Sequence, residues 1–354
     1  MLDDVAGMRA LDPKGMLRVL GSFPDQLKHA TALAQAVPLP PANPLNVVVC
    51  GMGGSGISGE LLRDWARDRM DVPVDVVNDY HLPAYCGNRT LVIVESYSGN
   101  TEETLACFED AVVRGCPTVA VASGGELARR AVEEGVPLVR IPADLPVPRA
   151  ATPYLFVPLL VGVEQLGLAF ASDELGEAQG VLAEMVPLLA PETPTQENVA
   201  KQLAHAIHQT IPVVYGQGVL RAVARRWRTQ LNENAKVLAR DDVFPECDHN
   251  DFPAWGGSDT AQLFSAVVLR DPMEPPELAD RIELTREMAF RHARVVAEVC
   301  ARGDGALARM LSTLVVGDYT SLYLAFLRGI DPAPIEMIED LKRALKERRD
   351  AREG

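Results

Sequence analysis

Residues 46–70 read NVVVC-GMGGSGISG-ELLRDWARDRM. A short β-branched run is followed by a glycine-rich turn, and then by a segment whose apolar residues recur at helical spacing. This order predicts a buried strand, a tight turn and an amphipathic helix, which together form one unit of a parallel α/β sheet.

Three later segments indicate that this unit belongs to a larger sheet. They are 90–95 (TLVIVE), 118–122 (TVAVA) and 137–142 (PLVRIP), and the first two are each followed by a turn and a helical pattern. Near-continuous apolar strands are typical of a parallel sheet that is buried on both faces. The first half of the chain is therefore predicted to be a parallel sheet covered by helices on both sides.

The same pattern returns in weaker form in the second half. Residues 211–218 (IPVVYGQG) resemble residues 47–54 (VVVCGMGG), and each segment precedes a long helix. Later strands are expected at 266–269 and 294–299, and helices at 311–327 and 335–349. Two tandem copies of one α/β unit follow from this repetition. The turn after the first strand of the second copy lacks most of the glycine and serine found in the first copy. The two copies are therefore expected to have different functions.

The length of the chain indicates the number of domains, and its net charge restricts the classes of binding partner. The chain has 354 residues, 34 Lys+Arg, 49 Asp+Glu and a formal net charge of −15. Since single cores usually split above roughly 250–300 residues, two domains are expected. We assign residues 1–22 to an N-terminal segment, 23–190 to the first domain and 191–354 to the second. The acidity argues against binding to nucleic acid or to anionic membranes, which needs clustered Lys and Arg.

The sequence also predicts a cytoplasmic protein. Its N-terminus has no basic region followed by an apolar core, as a secretory signal would. The most apolar stretch, 150–170, is interrupted by proline and polar residues and is expected to be buried protein, not a membrane span. Six cysteines without a C-x-x-C pair are typical of reduced thiols.

Two turns in the first half have the chemistry of an anion site. We call residues 51–56 (GMGGSG) the glycine turn and residues 96–101 (SYSGNT) the hydroxyl turn. Glycines let backbone N–H groups approach a ligand closely, and hydroxyls at a helix start suit a phosphate monoester. The alternative for the hydroxyl turn is simple helix capping. Neither turn contains a lysine, so a nucleotide-hydrolysing P-loop is not expected. The candidate phosphate ligands are Gly53, Gly54, Ser55, Ser96, Ser98 and Thr101.

The glycine turn also matches the G-x-G-x-x-G fingerprint of dinucleotide-binding enzymes. Asp71 and Asp75 lie at the distance where such a protein places the acid that binds ribose. A nicotinamide-dependent oxidoreductase therefore stays open as an alternative from these residues alone.

The two turns together resemble the sugar isomerase (SIS) domain, a flavodoxin-like fold that binds phosphosugars. Further strings narrow the resemblance: 148–155 (PRAATPYL), 231–236 (LNENAK), 249–251 (HND) and 341–342 (LK). With them, residues 20–346 resemble the bifunctional phosphoglucose/phosphomannose isomerases. The fold implied is two tandem flavodoxin-like SIS subdomains. The residues before His249, Cys247 and Asp248, depart from the usual family pattern.

The resemblance implies roles for individual residues. Glu233 would be the catalytic base, Arg149 would stabilise an enediolate, and Lys342 would lie near the sugar ring. His249 would catalyse ring opening and would be donated across the interface of a homodimer. Ser55, Ser96, Ser98 and Thr101 would bind the phosphate, and the route needs neither a metal nor a cofactor.

Each of these residues has a simpler structural alternative. Glu233 and Lys342 could be solvated helix charges, Arg149 a surface arginine, and His249 an exposed loop residue. Metal binding by Cys247 with His249, or by His205 with His208, is weakly supported because further ligands at suitable spacing are missing.

The function predicted is an aldose–ketose isomerase that interconverts glucose 6-phosphate or mannose 6-phosphate and fructose 6-phosphate. Such an enzyme opens the ring and moves a proton between C1 and C2 through a cis-enediolate. A protein that only senses phosphosugars is the alternative from another class. It would keep the hydroxyls but would not need Glu233 and His249 together.

Overall fold

The structure is a computed structural model and describes residues 2–257 and 259–353. The strands are β1 Asn46–Cys50, β2 Val74–Val77, β3 Thr90–Ser96, β4 Thr118–Ala122, β5 Leu138–Arg140, β6 Ile211–Gly216, β7 Arg240–Val243, β8 Phe264–Arg270 and β9 Val295–Cys300. The helices are α1 Val5–Ala10, α2 Met16–Gly21, α3 Phe23–Gln35, α4 Gly56–Ala66, α5 Glu102–Val113, α6 Gly125–Glu133, α7 Thr152–Gln165, α8 Ser172–Leu189, α9 Val199–Ile207, α10 Arg221–Glu233, α11 Phe252–Gly257, α12 Pro276–Met288, α13 Ala306–Leu327 and α14 Glu336–Glu353.

The strands form two parallel sheets of the same topology. The first has the order β2-β1-β3-β4-β5 and the second the order β7-β6-β8-β9. Strand order reverses between β1 and β3, and again between β6 and β8, which is the doubly wound flavodoxin-like order. The predicted fold class is therefore confirmed. The sequence patterns did not indicate β2 (VDVV) or β7 (RDDV), which are short edge strands that carry aspartates.

Alternate residues of each inner strand point to different hydrophobic cores, as the pleat requires. In β1, Val47 and Val49 face a large central core, whereas Val48 and Cys50 face a smaller one that also contains residues of α5 and α6. In the second sheet, Val214 faces the central core while Tyr215 faces an outer aromatic cluster. Burial on both faces explains why these strands are almost continuously apolar.

A shared layer of helices lies between the two sheets. Helices α3, α4, α7, α8, α9, α10 and α13 pack against one another and contribute to the same central core as the inner faces of both sheets. Helix α13 is long and apolar enough to cross a membrane, yet 94% of its most apolar window is buried inside the protein. The apolar stretch around α7 is also buried, as predicted from its sequence.

The N-terminal segment packs onto this shared core. Leu2, Met8 and Leu17 are buried in it, and the side chain of Asp12 accepts hydrogen bonds from the backbone at the start of α2. The Lys201 ammonium lies 3.3 Å from the Asp3 carboxylate. The division at residues 22 and 190 stays a prediction, since one continuous core joins residues on both sides of these positions.

Candidate active site

A cleft of about 320 Å³ lies at the carboxyl edge of the first sheet. It is bounded by both predicted phosphate turns, by the 3₁₀ turn Pro148–Ala150, by the end of α10 and by α14. Its lining residues are Met52, Gly53, Gly54, Ser55, Tyr97, Ser98, Thr101, Glu103, Pro148, Arg149, Glu233, Ile335, Ile338, Leu341, Lys342 and Leu345. Residues far apart in sequence thus meet where ligands bind in open α/β sheets.

The glycine turn is built by close backbone packing. A Cβ on Gly51 would lie 2.9 Å from the carbonyl oxygen of Ser55, and Gly53 has a left-handed φ of +54°. Both positions therefore favour glycine. The turn brings Ser55 to the cleft, where its Oγ accepts a hydrogen bond from the Tyr97 backbone N–H at 3.2 Å. This bond joins the glycine turn to the hydroxyl turn.

The hydroxyl turn presents two of its three serine and threonine side chains to the cleft. Ser98 and Thr101 line it. Ser96 is 1% exposed and does not line the cleft; its Oγ accepts from the Gly99 N–H at 3.1 Å and lies 2.9 Å from Thr101 Oγ1. In this arrangement Ser96 orients Thr101 and shapes the turn.

Tyr97 connects the hydroxyl turn to the segment that carries Arg149. Its hydroxyl accepts a hydrogen bond from the Leu145 N–H at 3.0 Å and lies 3.3 Å from the Leu145 carbonyl oxygen. Tyr97 is part of the hydroxyl turn, but the sequence pattern predicts no role for it. Tyr97 is buried between the hydroxyl turn and the segment around Leu145. This position depends on residues distant in sequence, so no short sequence pattern indicates it.

Arg149 is 2% exposed and lies in the short 3₁₀ turn Pro148–Ala150. Its guanidinium donates to the side chains of Asn234 at 2.6 Å and Glu233 at 3.3 Å, and to two backbone carbonyls near the start of α14. A guanidinium has five N–H groups, so these four acceptors leave one on Nη1 free of the described residues. Burial lowers the pKa of Arg149, while the Glu233 carboxylate opposes that shift.

The backbone of Arg149 is held from two sides. Arg226 donates to its carbonyl oxygen at 3.0 Å and to the Asp318 carboxylate at 2.7 Å, so a fully buried ion pair supports the turn. Burial raises the pKa of Asp318, and its ion pair with Arg226 opposes this. On the other side, a Cβ on Gly54 would lie 3.0 Å from the Arg149 Cα. Gly54 is therefore required for close approach of the two segments.

Glu233 is the last residue of α10, as the sequence predicts, and its side chain is one quarter exposed. Lys236 lies just beyond it with a left-handed φ of +53° and donates to the backbone carbonyls of Glu233 at 2.8 Å and Pro332 at 3.0 Å. Burial and the nearby Arg149 lower the pKa of Lys236. Lys236 thus fixes the helix end that presents Glu233, a role that sequence reasoning missed.

Helix α14 forms an apolar wall of the cleft. Ile338, Leu341, Lys342 and Leu345 recur at helical spacing and all line it. Each of these side chains remains exposed to solvent. The amphipathic spacing of α14 is a sequence signal for this wall, but Lys342 is the one residue of α14 for which a role is predicted.

His249 is exposed at the end of a 3₁₀ turn, Glu246–His249, and does not line the cleft of its own chain. Its predicted contribution across a subunit interface stays a prediction.

Two minor predictions concern other ligands. Asp71 precedes β2 and Asp75 lies within it, so neither stands at the carboxyl end of a strand, where a ribose-binding acid is expected. Among the side chains that the structure describes, no group of three or more His, Cys, Asp or Glu is placed to hold a metal ion.

Comparisons with known proteins show which proteins the chain is similar to. The family model for the bacterial phospho-glucose isomerase C-terminal SIS domain matches residues 196–345. A bifunctional phosphoglucose/phosphomannose isomerase of Caldicellulosiruptor bescii is 37% identical over 95% of this chain and all of that one. Its counterpart in Thermoplasma acidophilum is 35% identical over 85% of this chain and 89% of that one.

A solved structure shares the fold. A glucose-6-phosphate isomerase like protein from Thermus thermophilus superposes with a TM-score of 0.59 and 23% identity, covering 93% of this chain and 98% of that one. The two sequence relatives, which match 95% and 85% of this chain, show that it belongs to the bifunctional phosphoglucose/phosphomannose isomerase family.

Proposed function

We propose that this isomerase interconverts glucose 6-phosphate or mannose 6-phosphate and fructose 6-phosphate in the cleft described above. The observation that carries the proposal is the meeting of Arg149 and Glu233, 3.3 Å apart, with the two hydroxyl-bearing turns in one cleft. A protein that only senses phosphosugars has no need of such a pair. The family relationship favours an isomerase over a dinucleotide-dependent oxidoreductase.

The phosphate would bind at the two turns. Ser55, Ser98 and Thr101 offer hydroxyl groups in the cleft, and the turn containing Gly53 and Gly54 offers backbone N–H groups at the start of α4. Ser96 would act by orienting Thr101. Helix N-termini and hydroxyls stabilise an anion without a net positive charge, which reconciles an acidic protein with an anionic substrate.

The sugar carbons would then lie toward Glu233 and Arg149. Glu233 takes a proton from C2 of the open-chain aldose and delivers a proton to C1, in part after exchange with solvent, while another proton passes from O2 to O1; this gives the ketose. The free N–H of Arg149 and its positive charge stabilise the enediolate oxygen as negative charge develops there. Lys342, on the opposite wall, contacts the sugar ring.

Ring opening requires a further acid–base group, which we assign to His249 of a second subunit. His249 is exposed on its own chain, and burial in a dimer interface would bring it to the partner's cleft. A homodimer in the cytoplasm is proposed on this basis. All six cysteines are free thiols and five are buried, which suits a reducing compartment.

A coupled assay tests the reaction. Glucose 6-phosphate and mannose 6-phosphate are supplied separately, and fructose 6-phosphate formation is followed with and without a metal chelator. We expect turnover of at least one aldose that the chelator leaves unchanged. No turnover of either sugar would contradict the proposal, and activity lost to the chelator would contradict the metal-independent route.

Mixing two inactive variants tests the dimer. Glu233→Gln and His249→Ala subunits are each expected to be inactive as homodimers. Unfolding and refolding them together should restore part of the activity, because one cleft of a mixed dimer then contains both native residues. Mixtures that form dimers but remain inactive would contradict the assignment of His249 to the partner's cleft.

A further inference from the structure

Glu95 is a fully buried carboxyl group next to the proposed phosphate site. It is the penultimate residue of β3, directly before Ser96, and is 0% exposed. A glutamate in the middle of a parallel sheet is unusual, because charged side chains are almost never fully buried without a partner. Neither the phosphate contacts nor the proton transfer proposed above uses it.

Among the described residues, Glu95 has a single polar partner. Its Oε2 is hydrogen-bonded to Ser58 Oγ, and its Oε1 has no hydrogen-bond partner in that part of the chain. No Lys, Arg or His side chain that the structure describes forms an ion pair with it. Burial raises the pKa of Glu95 well above its usual range, and the bond to Ser58 only partly opposes this.

Counting protons determines the direction of these bonds. Ser58 Oγ lies 2.6 Å from the Ser55 carbonyl oxygen as well as next to Glu95 Oε2, and a serine hydroxyl has one proton. If Ser58 donates its proton to the Ser55 carbonyl oxygen, the hydrogen bond between Ser58 Oγ and Glu95 Oε2 needs a proton from the carboxyl group of Glu95. If Glu95 were ionised, one of these two contacts would join two acceptor oxygens with no proton between them.

We propose that Glu95 is a protonated positioning residue, whose carboxyl O–H donates to Ser58 Oγ so that Ser58 donates to the Ser55 carbonyl. The chain of bonds continues through Ser55 Oγ to the Tyr97 N–H, two residues beyond Glu95. The glycine turn and the hydroxyl turn are thereby closed into one ring of hydrogen bonds. This inference rests on the proposed phosphate site.

The neutral form also suits the ligand. A carboxylate buried behind the two turns would repel a phosphate dianion through a medium of low dielectric. A neutral acid keeps the hydrogen bond and adds no charge. The Ser55 hydroxyl is then held in place before the substrate arrives, which lowers the entropic cost of binding.

Steady-state kinetics on four variants test the role. Glu95→Gln keeps a neutral donor and should bind fructose 6-phosphate with a KM within about threefold of wild type. Glu95→Leu and Ser58→Ala break the ring and should raise KM about tenfold with little change in kcat. Ser312→Ala removes a buried hydroxyl that does not line the cleft and that bonds to the Arg302 and Arg309 carbonyls; it is the control and should lower thermal stability alone.

Infrared difference spectroscopy tests the protonation state without using activity. Wild type minus Glu95→Gln at neutral pH should show the carbonyl stretch of a protonated carboxylic acid. Absence of that band would overturn the proposal, as would an unchanged KM in a folded Ser58→Ala variant. If the wild-type enzyme has no isomerase activity, the proposed function fails. If the wild-type enzyme is active but the infrared band is absent, only the proposed role of Glu95 fails.

Discussion

The carboxyl edges of the two sheets have similar backbones but different chemistry. A Cβ on Gly51 would press on the carbonyl oxygen of Ser55, and one on Gly216 would press on that of Leu220 in the same way. The third residue of each turn has a left-handed φ, +54° at Gly53 and +48° at Gly218. The tandem repetition inferred from the sequence is thus present in the turn geometry.

The side chains at the two edges differ. The first edge presents hydroxyls to an open cleft. At the second edge, Leu220 replaces Ser55 and is fully buried, and Arg270 is paired with the carboxylates of Glu274 and Glu298. The two carboxylates neutralise the positive charge of Arg270, so this edge attracts an anion less than a free guanidinium would. One copy therefore keeps a ligand edge, while the other contributes to the site from the far end of its helix, through Glu233.

Replacing Glu233 should have the largest effect. Glu233→Gln removes the proposed base while keeping the shape, so kcat should fall by about 10²–10⁴-fold, the range of general acid–base catalysis. The matched control is Glu274→Gln at the second edge, which should lower thermal stability and leave kcat unchanged. Equal losses of kcat in the two variants would contradict the distinction between the edges.

Arg149→Lys should have the next largest effect. A lysine keeps the charge but cannot reach the four acceptors that orient the guanidinium, so kcat should fall by roughly 10²–10³-fold. Arg270→Lys breaks a comparable set of ion pairs at the second edge and should affect only the melting temperature. A fully active Arg149→Lys enzyme would show that the geometry around this residue does not contribute to catalysis.

Gly54→Ala should disturb catalysis through Arg149. Its methyl group would press on the Arg149 backbone, so we expect kcat to fall about tenfold as the guanidinium shifts. Gly218→Ala meets no neighbouring atom within 4 Å and carries only the strain of a positive φ, which costs about 1 kcal/mol of stability. Kinetics and thermal melts of both variants compare the two effects directly.

Ser55→Ala should have the smallest effect, a rise in KM of about threefold to tenfold at unchanged kcat, because one hydrogen bond to the phosphate is lost. Leu220→Ala at the equivalent position should instead cost about 2–5 kcal/mol of stability and leave KM as it is. A Ser55→Ala enzyme with reduced kcat and normal KM would place Ser55 outside the phosphate site.

The accuracy of sequence-based prediction differed between local and long-range features. Strands such as 90–95 and both turns were predictable because burial on two faces and glycine or hydroxyl content leave local patterns. The edge strands β2 and β7 were missed because each is four residues long and carries aspartate in place of an apolar run.

The sequence indicates a residue of the candidate cleft where a short motif contains that residue, as for Arg149 and Glu233. The structure brings them together with Ser55, Ser98, Thr101 and Lys342. The roles of Tyr97 and Lys236 depend on contacts with distant backbone atoms, at Leu145 and Pro332, which no short sequence window contains. The burial of the Ser96 side chain is likewise a result of tertiary packing, which the local sequence does not indicate.

Solvent deuterium incorporation tests the central claim most directly. Fructose 6-phosphate and glucose 6-phosphate are equilibrated with the enzyme in D₂O, and proton loss at C1 and C2 is followed by NMR. Transfer through a base and an enediolate predicts deuterium at these carbons with wild type and a rate at least about 10²-fold lower with Glu233→Gln. Isomerisation by Glu233→Gln at the wild-type rate, or equal deuterium incorporation by Glu233→Gln, would contradict the assignment of Glu233 as the base.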